Sequence, residues 1–252
     1  MSESRRRSSG RAVVLGASSG VGRAAASRLA RDGWSTVLSS RGARDLEAMS
    51  ADLEARYGGL HETAPIDLLA DDDALGAYAG HVTSDGLDVA IITAGAIDAD
   101  DDGLTDWSTI DRLTTANYTA VIKIAGRFLA HFEQQGCGTL VLFSSIAAAA
   151  PRSRNVAYAA AKSALASWAT SQQHRLADTE IEVQVYSLGY VDTPMTAGQK
   201  LLFPKAKPEF VADRVVQNLG TSHRRGYLPK WWAPIVGTIR ALPWTIYKRL
   251  RF

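Results

Sequence analysis

A short apolar run breaks on three glycines and resumes as an alanine-rich helical pattern in RAVVLGASSGVGRAAASRLARDGW, residues 11–34. Ala12 to Leu15 reads as a buried strand, and the glycines at Gly16, Gly20 and Gly22 permit a tight turn with close backbone approach. The helix that follows presents unpaired N–H groups and the positive end of its dipole at that turn, which suits a pyrophosphate. Ser18, Ser19 and Val21 lie between the glycines and would share the contact. The spacing is G-x-x-x-G-x-G, and a plain strand-to-helix turn is the competing use of the same residues.

The rest of the chain alternates. Strand character recurs at Thr36–Ser40, in an extended piece ending at Ile66–Leu68, and at Leu87–Thr93, Thr139–Ser144, Ile181–Ser187 and Arg225–Leu228. Helical spacing fills Asp45–Tyr57, Trp107–Gln135 and Asn155–Ala177, and a further helix closes over Arg214–Leu219. The strands are apolar almost throughout, as expected when both faces are covered. Such alternation predicts an α/β fold: a doubly wound, mostly parallel seven-stranded sheet with helices on both faces and right-handed crossovers. Residues 11–230 read as one domain, with a disordered basic tail over 1–10 and a separate extension over 231–252. The acidic stretch Ala99–Asp102 reads as solvated.

Composition removes some classes of function. A net charge of +2, with no basic-helix or zinc-finger pattern, gives no case for nucleic acid. Cys137 stands alone, so neither an intramolecular disulfide nor a cysteine-based metal site is expected, which suits the cytoplasm. No metal ligands are predicted.

Chemistry concentrates in SSIAAAAPRSRNVAYAAAK, residues 144–162. On one helix Tyr158 and Lys162 are neighbours on a single face. An ammonium beside a phenol favours the phenolate and lowers the phenol's pKa, giving a proton donor and acceptor usable near neutral pH. Ser145, at the carboxyl end of a strand, could hold the reacting oxygen against it. Asn117 is unfavourable inside a helix unless its amide has a partner.

Other positions fall at strand ends, where ligands of parallel sheets collect. Ser40 and Arg41 end the second strand; an arginine there suits a 2′-phosphate, which favours NADP(H) over NAD(H). Asp67, next to Leu68, either meets an adenine amino group or caps the helix that begins among Asp71–Asp73. Ala94 and Gly95 are small enough to let a flat ring approach, and Gly189, Val191 and Thr193 turn over the same edge.

Over roughly Arg11–Leu228 this pattern resembles the short-chain dehydrogenase/reductase family. The resemblance implies a Rossmann-type fold and a catalytic tetrad of Asn117, Ser145, Tyr158 and Lys162. It further implies cofactor glycines at 16, 20 and 22, and Thr193 on the nicotinamide carboxamide. Lys162 would bind the nicotinamide ribose, Asn117 would hold a water linking Lys162 to solvent, and a homodimer or homotetramer would form. Two departures stand out. Thr93 replaces the usual asparagine before Ala94-Gly95, losing an amide that braces the sheet, and Leu188 replaces the usual proline before Gly189, which should loosen that turn.

A narrower resemblance, to decaprenylphosphoryl-2-keto-pentose reductases, rests on ANYTAVI around Asn117, on Arg152 and Arg154, and on the WAP…LP…YKRL tail. It implies a keto-sugar substrate, lipid- or nucleotide-linked, with Arg152 or Arg154 near a phosphate. A polyketide or acyl-thioester ketone is the alternative substrate, and a non-catalytic dinucleotide-binding scaffold the alternative of another class.

Trp231–Phe252 carries three of the six tryptophans and a basic end. Broken by Pro234, Gly237 and Pro243, it is too short to span a bilayer. Two short amphipathic segments could lie at a membrane interface, with Lys248, Arg249 and Arg251 toward anionic lipid. They could equally cover the mouth of the site or a subunit interface.

Overall fold

The computed structural model describes residues 9–98, 101–102, 106–198 and 201–249. Most of the basic tail, along with Ala99, Asp100 and Arg251, therefore lies outside the described residues.

The chain opens with β1 (Arg11–Leu15), α1 (Gly20–Arg31), β2 (Ser35–Ser39), α2 (Ala43–Tyr57) and β3 (His61–Thr63). It continues through α3 (Asp72–Thr83), β4 (Val89–Ile92), α4 (Trp107–Thr114), α5 (Ala120–Gln135), β5 (Cys137–Ser145), α6 (Ile146–Ala149) and α7 (Val156–Arg175). The last part holds β6 (Glu180–Leu188), α8 (Pro208–Gln217), β7 (Arg225–Leu228), α9 (Trp232–Ala241) and α10 (Trp244–Tyr247). Seven strands pair in the order β3-β2-β1-β4-β5-β6-β7, and every pairing is parallel. The sheet is thus wholly parallel where the sequence predicted mostly parallel.

Strand periodicity sets the two layers. Side chains of successive residues point to opposite faces, so Val13 and Leu15 join Leu75, Phe128, Phe132 and Leu165 of α3, α5 and α7 in one core. Ala12 and Val14 join Leu29, Leu46, Leu53 and Val215 of α1, α2 and α8 in the other. Chain order reverses between β1 and β4, whose carboxyl ends lie in register at Leu15 and Ile92. That switch point is where a doubly wound sheet offers a crevice.

Several expected boundaries move. β3 stops at Thr63, so Ile66–Leu68 is no strand, and α8 ends at Gln217. The long helix expected over Trp107–Gln135 is interrupted by a π-helical turn, Thr115–Thr119, that carries Asn117. Leu188 does not loosen its turn: β6 runs through it, in register with Ser145 on one side and Leu228 on the other. Gly189 N–H then donates to the Leu228 carbonyl at 2.9 Å.

The extension folds back onto the domain. Pro234 and Gly237 do not prevent α9, because Pro234 sits in its first turn, where no intrahelical N–H bond is made. Trp232 and Val236 are buried, while Trp244 on α10 is exposed. The Tyr247 hydroxyl donates to the Pro151 carbonyl and ties α10 to the segment ahead of α7. Among the described residues no helix is long and apolar enough to cross a membrane.

Candidate active site

The glycine turn sits at the switch point. Gly16 has φ of 95°, and a Cβ built there would stand 2.6 Å from the Ala94 nitrogen, so only glycine fits between β1 and β4. Ser19 caps α1, its hydroxyl accepting the Gly22 N–H at 3.0 Å. Ser18 is exposed, and Val21 and Gly22 are buried beneath the turn. Thr193 lies over the same place, its Cγ2 2.6 Å from where a Gly20 Cβ would stand, while Val191 is buried.

Thr93 supplies the bracing expected to be missing. Its hydroxyl contacts the Leu15 and Gly16 carbonyl oxygens at 3.2 and 3.1 Å and the Ser19 hydroxyl at 3.2 Å. A shorter side chain than asparagine thus still ties the end of β4 to the glycine turn.

At the end of β2, Ser40 is buried and its hydroxyl has no hydrogen-bond partner among the described residues, while Arg41 beside it is exposed. An orphaned hydroxyl costs free energy unless a ligand completes it. Together with the tight glycine cradle, this fits the ribose and phosphates of a dinucleotide. Asp67 does not cap α3; that role belongs to Asp71, whose side chain accepts the Ala74 N–H at 2.8 Å. The Asp67 carboxylate is exposed and accepts the Leu69 N–H at 3.0 Å, and Leu68 is buried in the core.

Asn117, expected to bridge to a water, spends its amide on the backbone. Its Oδ1 accepts the Ala96 N–H at 3.2 Å, and its Nδ2 donates to the Ala96 and Leu113 carbonyls at 2.7 and 2.9 Å. The Asn117 side chain therefore has no N–H left for a water. A Cβ on Gly95 would stand 2.7 Å from Asn117 Oδ1 and 3.2 Å from Lys162 Nζ, so the three residues converge beside β4.

Tyr158 and Lys162 lie one turn apart on α7, and Ser145, at the end of β5, lines the same cavity as the Tyr158 phenol, its hydroxyl accepting the Ala147 N–H at 3.1 Å. Burial raises the phenol's pKa, and the Ser145 hydroxyl only partly offsets it. The net shift is thus upward, opposite to the lowering that the sequence led us to expect from Lys162. The Lys162 ammonium is itself pushed down to about 8 by burial. With its pKa raised, the Tyr158 side chain is protonated at neutral pH.

Asp101 went unrecognised in the sequence. Its stretch was expected to be solvated, yet Asp101 is only 4% exposed. Its carboxylate oxygens accept the N–H groups of Ala157 and Tyr158, each at 2.9 Å. Asn155, adjacent to α7, is left-handed (φ 56°) and makes no side-chain cap bond, so a residue from the β4–α4 segment caps the tyrosine helix instead. No local pattern marks a cap whose partners lie 56 residues away.

Above Ser145 and Tyr158 opens a cavity of about 580 Å³, walled by Gly189, Tyr190 and Met195 and roofed by α9. The roof fits because Gly189 has no side chain: a Cβ there would lie 1.8 Å from Trp232 Nε1. Trp232 packs edge-on against Tyr190 at 5.3 Å and Phe203 at 4.9 Å. Of the roles open to the tail, covering the site is the one its first helix takes.

A glycine cradle at the switch point, with a serine, tyrosine and lysine grouped beside it, defines a class, the dinucleotide-dependent oxidoreductases. Residues 11–201 match the short chain dehydrogenase family, and the chain belongs to that family of NAD(P)-dependent enzymes. An uncharacterized oxidoreductase of Staphylococcus epidermidis is 29% identical over 214 residues, 82% of this chain and 90% of that one. One from Mycobacterium tuberculosis is 28% identical over 241 residues, covering 94% and 96%. In fold, the chain is similar to a short-chain dehydrogenase from Sphingobium yanoikuyae in complex with NADPH, with a TM-score of 0.81 at 24% identity and 96% coverage of both chains.

Proposed function

We propose that the protein is an NADPH-dependent ketoreductase in which Tyr158 is the general acid. The observation that carries this reading is the placing of Ser145 and Tyr158 together in the lining of a cavity roofed by α9, with Lys162 one turn further along the tyrosine helix. Bound NADPH would supply the hydride to the carbonyl carbon. Ser145 and Tyr158 hold the carbonyl oxygen, and Tyr158 gives its proton to that oxygen as charge develops, so that the ketone leaves as an alcohol. Lys162, near Gly95, binds the nicotinamide ribose and returns a proton to Tyr158. Asn117 fixes Ala96 and so the wall against which Lys162 lies.

Gly16, Gly20, Gly22 and the α1 N-terminus hold the pyrophosphate, with Ser18, Ser19 and Val21 lining it. Ser40 and Arg41 take the ribose and its 2′-phosphate, Asp67 and Leu68 border the adenine, and Ala94, Gly95, Gly189, Val191 and Thr193 border the nicotinamide. The NADPH-bound relative supports the same choice of cofactor. On the resemblance of its loops and tail, a keto-sugar is one candidate substrate, and a polyketide or acyl-thioester ketone is the other. The grouped site weighs against a silent scaffold. Spectrophotometric loss of NADPH, matched one for one by alcohol formed from a ketone, tests the reading; a protein that binds NADPH yet reduces no carbonyl contradicts it.

A further inference from the structure

The cavity over Tyr158 sorts those substrates by what it offers besides the reacting pair. Its outer walls are Phe203, Trp232, Ile235, Val236, Ile239 and Leu242, all beyond residue 201, where the family match ends. About a third of its lining residues carry polar side chains, and several of these are already committed. Ser145 and Tyr158 are engaged with the carbonyl oxygen. The Thr196 hydroxyl donates to the Val191 carbonyl, and the Thr238 hydroxyl donates to the Pro234 carbonyl at 2.9 Å. Arg152 and Asn155 lie at the α6–α7 side, and the Tyr190 ring is packed against Trp232.

A sugar bound here would bring several hydroxyls to walls of indole and aliphatic carbon. Each hydroxyl stripped of water without a partner lowers affinity by roughly ten- to hundredfold. An apolar group in the same space gains about fourfold per methylene buried. A volume of about 580 Å³ is also that of a site for a ligand well above acetone in size.

Resting on the ketoreductase reading, we infer that the substrate is a ketone whose carbonyl is flanked by a sizeable apolar group, aliphatic or polycyclic, seated under α9. Free and nucleotide-linked keto-sugars are then poor substrates. The specificity belongs to Trp232–Leu242, a segment outside the family match, rather than to the tetrad.

The test is steady-state kinetics of the full chain with saturating NADPH. The panel is the methyl ketones from 2-butanone to 2-decanone, 1-tetralone, a free ketose and a nucleotide-linked 4-keto-sugar. The expected result is a kcat/KM that climbs about fourfold per methylene along the series and exceeds that of either sugar. Binding of 2-decanone to the NADP⁺-loaded protein should show a negative heat-capacity change. Ile239→Asn, on the roof and only partly buried, should lower kcat/KM for 2-decanone about tenfold with the Kd for NADPH unchanged. A flat series with a sugar preferred, or 2-decanone kinetics indifferent to Ile239→Asn, overturns the inference while leaving the ketoreductase standing. NADPH binding with no carbonyl reduced at all overturns the ketoreductase, and the inference with it.

Discussion

The backbone N–H of Tyr158 is capped by the carboxylate of Asp101 at 2.9 Å, across 57 residues of sequence. The same carboxylate takes the Ala157 N–H, and the Asp101 carbonyl accepts from Val156 at 3.4 Å. The loop leaving the cofactor side of the sheet therefore fixes where the tyrosine helix begins.

Asp101→Ala should loosen that start. Losing a charged cap costs about 2 kcal/mol, which lowers the melting temperature of a chain this size by about 4–8 °C. Turnover should fall further than stability alone explains, by up to ~100-fold, because a small displacement of the acid matters to the transition state. Asp101→Asn keeps one acceptor and should recover part of the turnover. Calorimetry paired with kcat for both variants checks the order wild type, Asn, Ala.

Arg41 should decide between cofactors. Arg41→Ala removes a charge-assisted contact to a 2′-phosphate and should raise the KM for NADPH by roughly 10- to 100-fold. Values for NADH should hardly change. Equal effects on both cofactors would place the arginine elsewhere.

Lys162 makes stability depend on pH. Its ammonium titrates at about 8 in the fold, against about 10.4 in an unfolded chain. Between those values the unfolded state holds a proton that the native state has lost, so stability rises with pH through that window. The rise for this one group is about 3 kcal/mol. Urea unfolding at pH 8, 9 and 10 should show it in the wild type and not in Lys162→Met.

Because burial raises the Tyr158 pKa, the two directions of reaction should respond differently to pH. Reduction needs the phenol, so its acid is fully present at neutral pH and is lost only as pH rises through the raised value. Alcohol oxidation needs the phenolate and should climb with pH below that value, where reduction stays level. Initial rates in both directions between pH 6 and 10 separate them.

The features legible in the sequence were those written locally. Ala12 to Leu15 form a short apolar run legible within a few residues, and Gly16, Gly20 and Gly22 announce their turn. Tyr158 and Lys162 share a helix face by spacing alone. The Asp101 cap joins distant segments and leaves no such trace. The π-helical turn at Asn117 preserves helical spacing closely enough to hide in it. Trp231–Phe252 was ambiguous because apolar aromatic residues suit a bilayer surface and a cavity roof equally; only the fit of Trp232 against Gly189 separates them. The lowered phenol pKa failed for another reason. Sequence places the lysine on the same helix face, but it does not show burial, which raises the phenol's pKa.

The most direct test is the turnover of Tyr158→Phe with NADPH and a ketone substrate. The account predicts a kcat at least ~100-fold below wild type with the Kd for NADPH unaltered, since the ring stays and only the donated proton is lost. Near-normal reduction by Tyr158→Phe would contradict it.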